Sequence, residues 1–153
     1  MNQRTQARSA ARLAAVQALY QHEMEATALA PLLDEFHMHR LGAEIDDDQY
    51  AEAETAFFDD LVKGVLARRE EIDALLAGKL ARGWSLARLD KTMLQILRAG
   101  AYELLARTDV PTAAAISEYV DVAHAFFEAF TLAVNEERAA ALDMTDLDLS
   151  IHG

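Results

Sequence analysis

Arg4, Arg8 and Arg12 recur every fourth residue near the start of the chain, and residues 1–22 contain no acid. On an α-helix that spacing advances about 400° per step, so successive side chains drift by only about 40° and share one face. Each guanidinium can fork onto two phosphate oxygens and can stack flat on an exposed base. The chemistry this predicts is salt-dependent binding of single-stranded RNA. The same three residues also read as ordinary solubility groups on a surface helix. Tyr20 reads as a half-buried tyrosine whose hydroxyl reaches the surface, and Gln17, one turn earlier, either hydrogen-bonds a base or faces water.

Other chemistries find little support. The histidines, His22, His37, His39, His124 and His152, are scattered, and His37 and His39 would point about 200° apart on a helix, a poor metal pair. Ser85, Ser117 and Ser150 lack a nucleophile-elbow context, and there is no glycine-rich phosphate loop. The expectation is a protein that is not an enzyme, with no cofactor and no metal site.

Charge is strongly segregated. The net charge is −12, which taken alone argues against nucleic acid. Yet ten acids oppose one arginine between Asp34 and Asp60, while nine cations oppose five acids between Lys63 and Arg107. From Glu128 onward six acids face one arginine. Such a chain can present a basic face despite an acidic total.

The elements that must position these residues read as helices. With 153 residues, 52% of them hydrophobic, the chain is sized for one domain with a real core. Two prolines and six glycines leave little to interrupt helices, and the absence of cysteine excludes a disulfide scaffold and fits a cytoplasmic setting. No apolar run is long enough for a membrane span, and no apolar region follows the N-terminal arginines to make a signal peptide.

Periodicity predicts a first helix over about Arg4–Ala26, with Leu13, Val16, Leu19 and Tyr20 inward. A second starts near Leu29, with Pro31 in its first turn, Gly42 past its end and Leu32, Leu33, Phe36 and Leu41 buried. An acidic, mobile loop, Glu44–Asp48, leads to a third helix over Tyr50–Arg68 that buries Phe57, Phe58, Leu61, Val62 and Val65. A fourth, Glu70–Arg82, turns Ile72, Leu75, Leu76 and Leu80 inward and stops at Gly83. After a Trp84-Ser85-Leu86 connector comes a hairpin. Its first helix carries the stripe Leu94, Leu97, Ala101, Leu104 and Leu105, and its second, opened by Pro111, carries Ile116, Tyr119, Val120, Ala123 and Phe127. Thr131–Leu142 reads as a helix too. The expected fold is all-α: a single compact bundle of six to seven helices over residues 1–142, with 143–153 an acidic, disordered tail.

The wording of the hairpin goes further than its pattern. GAYEL at Gly100–Leu104, R-x-DVP at Arg107–Pro111 and AI-x-EYV-x-VA-x-AF at Ala115–Phe126 resemble the NusB family of transcription antitermination factors. AVQALY at Ala15–Tyr20 is similar to that family's first helix, and FFDDLVKGVL at Phe57–Leu66 to its third. The resemblance covers roughly residues 8–127. It implies an arginine-rich first helix that holds boxA RNA, here through Arg4, Arg8 and Arg12, beside which Gln17 is a further candidate RNA contact, and a surface near Tyr20 that docks NusE, a small-subunit ribosomal protein. Together these would help the RNA polymerase antitermination complex read through terminators in ribosomal RNA operons. Some NusB-like proteins are homodimers, and the sequence leaves that state open here.

The chain also departs from the family. Ser9 and Ala10 stand where further arginines are frequent. Beyond Phe127, Val134-Asn135 survives, but Glu136, Glu137 and Arg138 replace small and apolar residues, and Ala133 stands where the family has an aromatic ring, with Phe130 nearby. A second reading therefore stands beside the first: a helical protein-interaction module of the same fold with little or no RNA affinity.

Overall fold

The alanines of the first helix set how tightly the bundle closes. In the computed structural model, which describes residues 3–39, 41 and 48–152, α1 spans Gln3–Glu25 and buries Ala7, Ala11, Ala14, Ala15 and Ala18 together with Val16 and Leu19. Small side chains on several sides let neighbouring helices approach α1 closely. It packs along α3 (Asp48–Ala67) and α5 (Lys91–Ala106), with α2 (Leu29–His39) and α6 (Thr112–His152) beside it. The helix ends at Ala26, which takes a left-handed conformation with φ 54°.

Phe57, Phe58, Leu61, Val62 and Val65 of α3 are all buried, as the periodicity predicts, and the Phe58 ring stacks on Phe36 of α2 with centroids 5.4 Å apart. Leu32, Leu33 and Leu41 are buried with them. The expected Gly42 stop and all of the Glu44–Asp48 loop but Asp48, which opens α3, lie outside the described residues. α4 spans Arg69–Lys79; Ile72 is buried, but Leu75 is exposed rather than inward. A 3₁₀ turn, Leu86–Arg88, leads into α5, where the Asp90 carboxylate caps the helix by accepting from the Thr92 and Met93 N–H groups. With the 3₁₀ turn there are seven helices, and no strand occurs among the described residues. None of these helices is long and apolar enough to cross a membrane.

The hairpin is turned about its axes relative to the expected stripes. On α5 the buried face consists of Leu94, Gln95, Ile96, Arg98, Ala99, Tyr102 and Glu103, while Leu104 and Leu105 are exposed. On α6 Ala115, Tyr119 and Val122 are buried, while Ile116, Val120 and Phe127 are about half exposed. The physical reason is that two charged residues of α5, Arg98 and Glu103, have partners on other helices and occupy core positions. The apolar stripe then borders an open groove of about 520 Å³ between α5 and α6, lined by Leu97, Leu104, Ile116, Val120 and Phe127 among others.

The helix expected over Thr131–Leu142 is continuous with the second helix of the hairpin. Between Pro111 and Gly153 there is neither glycine nor proline to break it. The expected boundary at 142/143 thus falls inside α6; the side chains of Phe130 and Ala133, and those from residue 141 on, lie outside what the structure describes.

Candidate nucleic-acid interface

The three arginines of α1 meet three different fates. Arg4 is exposed. Arg8 is partly buried; its guanidinium lies 5.1 Å from the Phe57 ring centroid and donates to Asp109 at 3.1 Å. Arg12 is only 3% exposed, and its Nε and Nη2 donate to the two Glu103 oxygens at 2.9 and 2.7 Å. The expectation of three guanidiniums on one open face is therefore corrected: the 40° drift per step carries Arg12 into the contact with α5 and α6.

Around Arg12 the hairpin motif becomes a polar lock. Tyr119 donates to Glu103 Oε1 at 2.8 Å, Glu118 lies 3.6 Å from Arg12, and the Ser9 hydroxyl donates to Glu118 at 2.9 Å. Burial works against the Arg12 charge, but the hydrogen bonds and field of Glu103 outweigh it and raise the guanidinium pKa. Burial first, and then Glu103, push the Tyr119 hydroxyl well above its ordinary value. All buried side-chain polar atoms among the described residues have partners. The motif letters Glu103, Glu118 and Tyr119 thus hold α1 against the hairpin. The signal that could have found this role was a glutamate and a tyrosine at helix positions the apolar periodicity leaves unexplained.

A second lock sits at the other end of α1. Arg98 bonds both Asp73 oxygens, at 2.8 and 2.9 Å, and reaches Glu23 at 3.3 Å, while Gln95 donates to Glu23 as well. Residue 12 meets 103 and residue 23 meets 95 and 98, so α1 and α5 run antiparallel and are pinned at two levels.

Arg107, which sequence reasoning did not single out, joins the surface edge of the first lock. Its guanidinium lies 4.8 Å from the Phe57 ring and donates to Asp60 and Asp109 at 3.1 Å. The Asp109 hydrogen bond is the foremost cause of a raised Arg107 pKa, and Arg107 in turn holds the Asp109 carboxyl below the usual range. Arg8, Arg12 and Arg107 surround one Phe57 ring, which restricts their rotamers before any ligand arrives.

Gln17 does not share the arginine face. Nine residues beyond Arg8, it lies about 180° around the helix, and it is partly exposed. Tyr20 is 40% exposed and lies away from the Arg4–Arg8 edge as well, about 120° round from Arg8. Arg8 and Arg107 meet at Phe57, with Arg12 buried beneath them, and the exposed Arg4 lies one turn before Arg8 on α1.

Comparison with known proteins identifies the family of this helical bundle. Residues 9–131 match the model of the NusB family. Over 122 residues, 80% of this chain and 82% of the relative, the sequence is 73% identical to the transcription antitermination protein NusB of Novosphingobium aromaticivorans. It is 67% identical over 128 residues to the protein of that name from Sphingopyxis alaskensis, covering 84% and 86% of the two chains. The solved structure of T. maritima NusB superposes with a TM-score of 0.63 at 30% identity over 78% of each chain. The family match stops four residues after Phe127, where the sequence departs from the NusB pattern.

Proposed function

The chain belongs to the NusB family of transcription antitermination proteins, and we propose that it works by holding boxA-type single-stranded RNA jointly with NusE. The observation that carries this reading is the start of α1, where Arg4 is exposed for phosphate and Arg8 lies over the Phe57 ring that Arg107 also contacts. A phosphate reaching Arg8 competes with the exposed Asp109 carboxylate, so binding is charge-driven and weakens as salt rises. Arg12 supports the site from inside through Glu103 rather than touching RNA. The exposed Tyr20 belongs to the NusE-docking surface in this reading, and Gln17, on the far side of α1, lies outside the phosphate contact. The work is recruitment into the RNA polymerase antitermination complex, without covalent chemistry, in the cytoplasm where transcripts emerge. Residues 1–142 carry it, and 143–153 carry none of it.

A second reading, a protein-interaction module with little RNA affinity, draws support from the buried Arg12 and the net charge of −12. Fluorescence anisotropy of a labelled boxA-type RNA and a scrambled control, with and without NusE, separates the two. Preferential binding of the specific RNA, strengthened by NusE, is the expected outcome. Negligible binding of both RNAs even with NusE present would favour the interaction module.

A further inference from the structure

The connector between α4 and α5, with the helix ends that flank it, is rich in cations. Lys79, Arg82, Arg88 and Lys91 fall within thirteen residues, with Asp90 the only acid among them. Asp90 is committed to capping α5 through the Thr92 and Met93 N–H groups. Lys79, Arg82 and Lys91 are exposed, and no carboxylate pairs with them among the described residues. In the midst of these cations stands Trp84, 57% exposed.

The local backbone holds this indole outward. Gly83 adopts φ 88°, a left-handed conformation that a side chain would strain, and reverses the chain directly before Trp84. Arg88 donates to the Gly83 carbonyl at 2.8 Å, and its guanidinium lies 5.8 Å from the Trp84 ring centroid. One arginine thereby ties the turn and braces the indole. Neither group is used by the α1 site, and the exposed tryptophan has exposed cations on both sides of it in the sequence, Lys79 and Arg82 before and Lys91 after.

We propose that Trp84, braced by Arg88 and flanked by Lys79, Arg82 and Lys91, is a second binding surface for single-stranded nucleic acid. A base stacks on the indole while the cations hold the flanking phosphates. Stacking platforms of this kind tolerate any base, because every base has a π-face. The surface therefore adds sequence-independent grip on a transcript, beyond whatever α1 selects, and it stands whether or not the α1 reading does.

Trp84 is the chain's single tryptophan, so intrinsic fluorescence reads this site alone. Titrating the full chain with oligouridylate should give saturable quenching whose midpoint rises with salt, while polyglutamate of matched charge should give none. R4A/R8A should leave the quenching in place, which separates this site from the one on α1. In anisotropy with labelled oligouridylate, W84A should weaken binding by roughly 5- to 150-fold, the range expected for one stacked base. W84F, which keeps a ring, should retain most of the affinity. Absence of quenching, equal quenching by polyglutamate, or its loss in R4A/R8A would overturn the proposal.

Discussion

Arg12 illustrates how a residue type can be read correctly and its environment missed. A guanidinium on an acid-free helix segment suggests phosphate, but Glu103, 91 residues away, already fills both prongs of its fork. Removing one member of a buried, hydrogen-bonded pair leaves an uncompensated charge, at a cost of about 3–5 kcal/mol. R12A should therefore lower stability in urea denaturation by about that amount, whereas R4A should change it little. A fully stable R12A would contradict the placement of Arg12 in the interior.

Tyr102 adds a pH dependence at the same scale. Its hydroxyl donates to Asp60 at 2.7 Å, and burial first, then Asp60, push its pKa from about 10 up to about 12. The folded state then holds a proton that the unfolded chain releases between pH 10 and 12. The stabilisation is fully present below pH 10 and is lost as pH rises through that window; Tyr119 acts in the same direction. The melting temperature should fall above pH 10, and less steeply in Y102F. Identical slopes for the two proteins would rule Tyr102 out as a source.

At the scale of elements, the helices were legible where apolar residues alone make the buried face. The α3 run of Phe57, Phe58, Leu61, Val62 and Val65 is such a case. On α5 they were not, because Arg98 and Glu103 occupy core positions and their partners on α1 lie 75 and 91 residues earlier in the chain. No periodicity within α5 records that. The opposite placement of Gln17 and Arg8 was legible all along from 100° per residue.

The contact between α3 and α5 depends on a missing side chain. A Cβ on Gly64 would lie 2.0 Å from the Tyr102 ring, which Asp60 fixes through its hydroxyl. G64A should displace that ring and destabilise the fold by about 1–3 kcal/mol. Gly78 is the internal control: nothing lies near its would-be Cβ, and it sits within helical α4. There, alanine should stabilise by about 0.5–1 kcal/mol, through helix propensity and a more restricted unfolded chain. Thermal unfolding of both variants checks the pair, and equal effects would contradict the close approach of α3 and α5.

Across the whole molecule, a net charge of −12 and an RNA partner are reconciled by segregation. The start of α1 and the α4–α5 connector are cationic, while the acids concentrate between Asp34 and Asp60, from α2 into α3, and in the distal part of α6. Much of the NusB signature serves the joint between α1 and the hairpin, through Glu103, Glu118 and Tyr119, while the proposed phosphate contact lies at Arg4 and Arg8. Past residue 131 the family match ends, and with no glycine or proline between Pro111 and Gly153 α6 continues as one helix to His152.

The central claim is that Arg4 and Arg8 contact phosphate while Arg12 does not. The most direct test is the slope of log affinity against log salt for boxA-type RNA with the native protein and R4A/R8A. Each lost contact to a single strand should reduce the slope by about 0.7, so the double variant should lose about 1.4 together with affinity. An unchanged slope and affinity in R4A/R8A, with the fold intact, would contradict the account.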